Sequence, residues 1–358
     1  MNKNLILTIN PGSTSTKIAV FQGSNQIFMK NITHSSEELE PFKQITDQYE
    51  FRKKIVLNEL EIAGININDI SIIVGRGGLI KPIPGGIYEV NEKMCDDLFA
   101  GVMGQHASNL GGLIANDIAR SIPNAKAYIA DPVVVDEMQD IARIAGHPAF
   151  ERVSIFHALN QKAIARTHAQ SHNKSYEDMN LIIAHLGGGI SVGAHQKGKV
   201  IDVNNALDGE GPFSPERSGT LPAGALAKAC FTGKYTYDEI KKMITGKGGY
   251  VAYLGTNKAS EVEKAAQNGD SKAILLQKAM AYQVAKEIGA MSTVLKGEVD
   301  AIILTGGMAY NKTFVNLITE RVSHLGEVFV YPGEDEMRAL AMNGLMVLNG
   351  EIQAKKYI

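Results

Sequence analysis

Short apolar runs bounded by glycine or polar residues recur along the chain and predict buried β-strands. They lie at residues 5–9, 70–74, 127–130, 181–184 and 301–304. Longer stretches with apolar spacing near 3.6 residues predict helices at 96–118, 155–168 (with Ser154 as N-cap), 271–295 and 337–349. Because strands and helices alternate, we expect an α/β fold.

The strand–turn–strand pattern of residues 5–20 has a counterpart at residues 181–193. Two similar hairpins suggest a duplicated domain whose copies face each other across a cleft. A chain of 358 residues is also long enough for two domains. We expect a first domain at 1–150, completed by the C-terminal helix 336–358, and a second domain at 151–335.

Composition narrows the class of protein. Hydrophobic residues make up 44% and charged residues 21%, as in ordinary globular proteins, and a net charge of -2 without a basic block argues against nucleic acid as a partner. Cys95 and Cys230 show no metal-ligand spacing and predict neither a disulfide framework nor a zinc site. The first apolar run is too short for a signal sequence, and no 18-residue apolar run follows. We expect a cytoplasmic protein with no membrane partner.

Glycine- and hydroxyl-rich turns follow three of the predicted strands. A phosphate group needs backbone N–H groups and small hydroxyls that converge without obstruction, which glycine and serine permit. Neither GxxxxGK[ST] nor GxGxxG occurs, which disfavours the P-loop and dinucleotide-binding folds. Each turn alone could be an ordinary hairpin, but the three together favour a nucleotide site. The turns are residues 10–17, with Gly12, four hydroxyls and Lys17, residues 187–189, and Gly306-Gly307.

Four charged or polar residues are candidates for the chemistry. Arg76 and Arg217 lie in glycine-containing turns, where an arginine can be solvated, paired, or used to hold phosphoryl oxygens with its planar fork. Asp131 closes a strand and precedes a proline, a place for a turn-forming aspartate and also for ligands in open α/β sheets. His157 near a helix start could be structural or functional.

These motifs resemble the acetokinase family, which comprises acetate and butyrate kinases. Residues 10–17 resemble its first phosphate loop, 185–191 its second, and 304–308 its adenosine loop, while 75–86 and 202–219 are similar to its butyrate kinases. The resemblance extends from residue 5 to beyond residue 340. It implies two ribonuclease H-like (actin-like ATPase) domains with a nucleotide cleft between them, ATP and a divalent cation such as Mg²⁺, an acyl phosphate product, and a homo-oligomer.

The resemblance also implies roles for individual residues. The catalytic residues would be Arg76, Asp131, His157 and Arg217. Nucleotide binding would involve Asn10, Ser13, Ser15, Lys17, His185, Gly187, Gly188, Gly189, Gly306 and Gly307. Substrate binding would involve Gly77, Gly78, His106 and Phe156, with Asn109 beside His106. The metal would be held by Asp131 and Asn10.

The chain departs from the family pattern at three places. Gly77 and Gly78 replace two β-branched residues of acetate kinases, which we interpret as an enlarged acyl pocket. Gly188 replaces an asparagine of the second phosphate loop. Ala309 occupies the position of a metal-associated glutamate, which Glu334, Asp335 or Glu336 could replace.

The function that this reading favours is a short-chain fatty acid kinase acting on ATP and butyrate or a branched relative. A sugar or polyol kinase of the same superfamily is an alternative, and it would need a general base to deprotonate a hydroxyl. A non-catalytic actin-like or chaperone-like ATPase is another. The two central arginines suit a carboxylate better than a hydroxyl.

Overall fold

The computed structural model describes residues 4–358. The prediction that the first residues carry no signal sequence concerns positions that lie partly outside this range. The chain divides into two compact units. Unit 1 runs to Val135 and includes Asp335–Ile358, and unit 2 is Asp136–Glu334. From the sequence, we expected this boundary at residue 150, with 336–358 as part of the first domain.

The strands of the described residues are β1 (Leu5–Pro11), β2 (Ser15–Gln22), β3 (Asn25–Thr33), β4 (Ile70–Arg76), β5 (Ile87–Glu89), β6 (Lys126–Ala130), β7 (Asn180–Leu186), β8 (Ile190–Gln196), β9 (Lys199–Val203), β10 (Ala301–Gly306), β11 (Val328–Pro332) and β12 (Lys355–Lys356). The helices are α1 (Ser36–Leu39), α2 (Tyr49–Ile62), α3 (Glu92–Ala100), α4 (Asn109–Arg120), α5 (Asp140–Arg143), α6 (Ala158–Ser171), α7 (Ala223–Cys230), α8 (Tyr237–Ile244), α9 (Gly249–Leu254), α10 (Ala259–Gln267), α11 (Ser271–Val294), α12 (Lys312–Val322) and α13 (Glu336–Leu348). Short 3₁₀ segments occur at Ile45–Gln48, Ile67–Asp69, Tyr176–Asp178 and Gly307–Tyr310.

Each unit contains one mixed sheet. The sheet of unit 1 has the order β12-β5-β6-β4-β1-β2-β3, and that of unit 2 has the order β11-β10-β7-β8-β9. In both, an antiparallel meander (β1-β2-β3 or β7-β8-β9) is followed by parallel strands (β4 and β6, or β10 and β11). The repeated hairpin seen in the sequence is confirmed, and it belongs to a five-strand order shared by the two sheets.

All five predicted strands are confirmed, and four of them continue at their C-terminal ends. Asn10 therefore lies within β1 and Arg76 is the last residue of β4, while Asp131 directly follows β6. Carboxyl ends of parallel strands share one edge of a sheet, where open α/β sheets place their ligands. The candidate residues of unit 1 thus gather at that edge.

The predicted helix 96–118 is wrong as a single element. It is two helices, α3 and α4, because Gly101 ends α3 with φ 65° and Gly104 has φ 123°, conformations that glycine adopts without strain. Ser154 is not the N-cap of α6, which begins at Ala158 with His157 as its N-cap. The helices predicted at 271–295 and 337–349 are confirmed to within one residue at each end.

Apolar strands and helix faces form the core of each unit. In unit 2, long helix α11 buries Met280, Val284 and Ile288 beside strand residues such as Ile182 and Leu304. No helix within the described part of the chain combines the length and the apolar character needed to cross a membrane.

Candidate active site

The first candidate phosphate loop is a tight turn between β1 and β2. The backbone N–H of Gly12 donates to the carbonyl of Ser15 at 2.7 Å, and Asn10 faces Lys17 across the two strands. Ser13 at the tip is exposed. A side chain at Gly12 would lie only 3.3 Å from the Ser15 hydroxyl, so glycine keeps this turn compact.

The buried Arg52 of α2 holds this loop from behind. Its Nη1 donates to the carbonyls of Gly12 (2.7 Å) and Ser15 (2.8 Å), and its Nη2 donates to the carbonyl of Ser13 (2.9 Å). Further bonds reach the Gln48 side chain. Since these groups are fixed by one rigid guanidinium fork, the loop has a defined shape.

The charge of Arg52 is not paired with a carboxylate anywhere in residues 4–358, because all of its hydrogen-bond acceptors are neutral. The side chain is 0% exposed, and burial lowers its pKa to about 10, so it remains charged at neutral pH. The sequence analysis missed this residue. The sequence nevertheless indicates that Arg52 is buried, because Arg52, Val56 and Leu60 recur at four-residue spacing and lie on the same buried face of α2.

A second group in unit 1 joins Asn10, Arg76 and Glu336. Glu336 lies in the first turn of α13 and pairs with Arg76 at 2.5 Å through Oε1, while its Oε2 accepts from Asn10 Nδ2 at 2.5 Å. Arg76 Nη1 donates to Asn10 Oδ1 at 3.3 Å. Of the three acidic residues left open by the sequence, Glu336 is the one that contacts these candidates, whereas Asp335 caps α13 by accepting from the Arg338 N–H.

Asp131 is held in a strained conformation at the end of β6. Its φ of 38° lies in the left-handed region that few non-glycine residues adopt, and the residue is 1% exposed. Asp131 Oδ1 accepts from the Gly86 N–H at 2.7 Å, and its own N–H donates to the Gly86 carbonyl at 3.0 Å. Strain of this kind is typical of functional sites.

The interpretation that Gly77 and Gly78 enlarge an acyl pocket is wrong. A Cβ at Gly77 would lie 2.6 Å from the Cβ of Pro132, and one at Gly78 would lie 2.4 Å from Asn109 Oδ1. The missing side chains are therefore replaced by the protein's own atoms. Asn109 instead orders the turn, because its Oδ1 accepts from the Leu79 N–H at 2.8 Å, and His106 Nδ1 lies 2.8 Å from the Ser108 hydroxyl.

Unit 2 brings His157 and His185 together beside the second loop. Their rings stack with centroids 3.9 Å apart and an interplanar angle of 13°. His157 Nδ1 lies 2.8 Å from the Ser191 hydroxyl, and His185 Nδ1 lies 2.8 Å from Asn160 Oδ1. Glu334 approaches His185 Nε2 at 3.5 Å. Ser191 and Asn160 were not singled out in the sequence, where a lone serine or asparagine carries no distinctive signal.

Arg217 lies directly against the glycine loop that joins β7 to β8. A Cβ at Gly189 would lie 1.8 Å from Arg217 Nη1, so glycine here leaves the space that the guanidinium occupies. Arg217 donates to the Ala206 carbonyl at 2.8 Å, and its buried Nε has no hydrogen-bond partner among the described residues. Burial lowers the pKa of Arg217 more than the neighbouring Glu216 raises it. An unsatisfied buried donor beside a bare loop is suited to an anion.

Gly306 and Ser214 also lie against this loop or the strand before it. Gly306 has φ 91°, and a side chain there would collide with the backbone of Leu186 at the end of β7. Ser214 donates to the Gly188 carbonyl at 2.6 Å. Phe156 and Ala309 are 2% and 3% exposed, respectively. Ala309 thus carries no carboxylate at the family's glutamate position and is instead part of the core.

Similarity to known proteins identifies the family of this chain. A family model described as the acetokinase family matches residues 151–342. Butyrate kinase 2 of Clostridium acetobutylicum is 60% identical over 352 residues, which cover 98% of this chain and 99% of that protein. The chain belongs to the acetokinase family. Butyrate kinase 1 of the same organism is 56% identical over the same coverage.

Membership of the acetokinase family makes the chain an ATP-dependent kinase of a short-chain carboxylate. The crystal structure of Porphyromonas gingivalis acetate kinase superposes with a TM-score of 0.78 at 17% identity, covering 96% of this chain and all of that one. The expected α/β fold class is confirmed, and the fold is that of this acetate kinase.

The close packing at Gly78 yields a stability prediction. We expect Gly78→Ala to lower the free energy of unfolding by about 1–3 kcal/mol, because the added methyl group must displace the Asn109 backbone. The matched control is Gly289→Ala in α11, where nothing lies within 4 Å of the new Cβ and alanine favours the helix. Thermal unfolding of both variants checks this. A Gly78→Ala protein as stable as the wild type would restore the open-pocket interpretation.

Proposed function

We propose that the chain catalyses reversible, direct phosphoryl transfer between ATP and butyrate, or a similar short-chain carboxylate, giving ADP and an acyl phosphate. The observation that carries this choice is 60% identity over nearly the full length to a butyrate kinase. The sugar kinase and non-catalytic alternatives are not favoured, because no comparable likeness supports them. The geometry of the candidate residues is consistent with the chemistry.

The reaction needs little covalent assistance from the protein. A carboxylate is already ionised at neutral pH, so its oxygen attacks the γ-phosphorus without a general base. The bond from that phosphorus to the β,γ-bridging oxygen breaks, and its electron pair leaves with ADP. The task of the side chains is to position the reactants and to stabilise negative charge on the transferring group.

Arg52, which is fully buried, and Arg217, which is partly buried, offer positive charge to phosphate oxygens. Arg52 supports the Gly12 loop, and Arg217 lies against Gly189 with an unsatisfied Nε. In the proposed function, the first loop holds nucleotide phosphates over Arg52, and Arg217 meets the transferring phosphoryl group. His157, Phe156 and His185 are proposed to contact the substrates on the basis of the family resemblance.

Arg76 and its partners are proposed to serve the carboxylate and the metal. In this assignment Arg76 binds the substrate carboxylate, and Asn10, Asp131 and Glu336 would hold the cation. The donor set fits Mg²⁺, which takes oxygen ligands and uses only one or two carboxylates together with substrate phosphates. Within 4–358, no cluster of three His, Cys, Asp or Glu residues could hold a metal by itself. Bound Mg²⁺ would neutralise phosphate charge.

The proposal also includes a cytoplasmic location and a homo-oligomeric state. Both rest on the family resemblance. Cys95 and Cys230 are free thiols in the structure, as suits a reducing compartment.

Trapping the product with hydroxylamine tests the proposed function. We expect purified protein with ATP and Mg²⁺ to form hydroxamate from butyrate, and to do so faster than from acetate across a panel of C2 to C6 acids. Arg217→Ala should lower kcat by on the order of 10³-fold, as removal of a transition-state arginine does. The exposed Arg120 provides the control substitution Arg120→Ala, which should keep wild-type kcat. ATP hydrolysis without hydroxamate from any acid would refute the kinase assignment.

The assignment of Glu336 to the metal gives a second prediction. Glu336→Gln keeps the side-chain shape but removes the charge, so the Mg²⁺ concentration for half-maximal activity should rise by roughly tenfold or more. The control is Asp335→Asn, which preserves the cap of α13 and should leave the Mg²⁺ dependence unchanged. Magnesium titrations of both variants at saturating ATP are the measurement. Equal Mg²⁺ dependence in Glu336→Gln and wild type would show that Glu336 only orients Arg76.

A further inference from the structure

A chain of hydrogen bonds runs through unit 2 behind His157. Tyr176 OH lies 2.7 Å from His195 Nδ1, and His195 Nε2 lies 2.8 Å from Gln161 Oε1. Gln161 Nε2 is 2.9 Å from the Ser191 hydroxyl, which is 2.8 Å from His157 Nδ1. Gln161, Ser191 and His195 are each 0% exposed. None of the roles that the resemblance implies uses Tyr176, His195, Gln161 or Ser191.

The direction of these bonds follows from one backbone carbonyl. Gln161 also lies 3.1 Å from the main-chain oxygen of Ser191, and a carbonyl can only accept. The amide nitrogen of Gln161 must therefore face Ser191, and its amide oxygen must face His195. The nitrogen His195 Nε2 consequently carries a proton that it donates to Gln161.

Within the described part of the chain, the Ser191 hydroxyl then has a single acceptor to which it can donate. Its partners are Gln161 Nε2, the His157 N–H at 3.4 Å, and His157 Nδ1. The first two are donors. Because the buried hydroxyl needs an acceptor, its proton points to His157 Nδ1, and that nitrogen must be unprotonated. The neutral imidazole of His157 accordingly carries its proton on Nε2.

Two further features support this chain of hydrogen bonds. The backbone conformation of Gly193 in β8 does not itself require glycine. A Cβ at this position, however, would lie 2.7 Å from Gln161 Oε1 and 3.2 Å from His195 Nε2. Glycine thus leaves the space that this hydrogen bond occupies. Complete burial also holds the pKa of His195 well below its usual value, so His195 is neutral and its Nδ1 accepts from Tyr176.

We propose that Gln161, acting through Ser191, is a positioning residue that fixes His157 as the neutral imidazole protonated on Nε2. His157 is the N-cap of α6 and Gln161 lies one turn later, so both reach the same serine of β8. The catalytic consequence rests on the proposed function: Nε2–H is then a preset donor to an oxygen of the transferring phosphoryl group. A donor that is already oriented loses less entropy when the transition state forms.

Nitrogen NMR of ¹⁵N-histidine-labelled protein reads the tautomer directly and needs no substrate. At about pH 8.5, well above the ordinary histidine pKa, a neutral ring shows separate signals for its protonated and bare nitrogens. His157→Gln assigns the signals by their loss. We expect Nε2 of wild-type His157 to be protonated and Nδ1 to be bare. The opposite tautomer in the wild type would overturn the proposal, whatever the fate of the kinase assignment.

Two variants test the role of this chain of hydrogen bonds. Gln161→Leu and Ser191→Ala should each turn the single His157 tautomer into a mixture and lower kcat by about 10-fold to 100-fold, with little change in the KM for ATP. The control is Gln277→Leu, which removes another buried glutamine of unit 2 and should leave the His157 signals unchanged. Wild-type His157 signals in both test variants would also overturn the proposal. If either variant fails to fold, the tautomer seen in the wild-type spectrum still tests the proposal.

Discussion

Arg52, a buried guanidinium with no carboxylate partner among residues 4–358, is the constraint on which the candidate site of unit 1 depends. Arg52 donates to three loop carbonyls, a hydroxyl and a glutamine side chain, and it remains charged although burial lowers its pKa to about 10. Burying an uncompensated charge is costly. The loop is held by strong bonds, and a negative charge on the ligand would offset the remaining cost.

The second unit repeats this arrangement with a different residue. Its sheet has the same five-strand order, and Arg217 packs against Gly189 of the equivalent hairpin with its Nε unsatisfied. The arginine comes from a distant loop here and from a helix in unit 1. The hairpin of each unit thus has its own source of positive charge, Arg52 in unit 1 and Arg217 in unit 2.

The sequence was informative where a property is local. Apolar runs located β1, β4, β6, β7 and β10, and the glycines after them indicated the loops. Both features could be predicted because burial and turn conformation depend on neighbouring residues. The break between α3 and α4 was missed, since apolar periodicity persists across Gly101. Contacts between distant residues could not be seen. Asn109 occupies the space that a side chain at Gly78 would need, and this contact can be seen only in the folded structure.

Calorimetric titration of ADP and adenosine against wild type, Arg52→Met and Arg52→Lys tests most directly whether this buried charge serves nucleotide phosphates. We expect Arg52→Met to weaken ADP binding by at least roughly tenfold, or about 1.4 kcal/mol, and to leave adenosine affinity unchanged. Arg52→Lys, which retains the charge, should lose less. Equal effects on ADP and adenosine, or no effect on ADP, would contradict the account and leave Arg52 as a purely structural support of the loop.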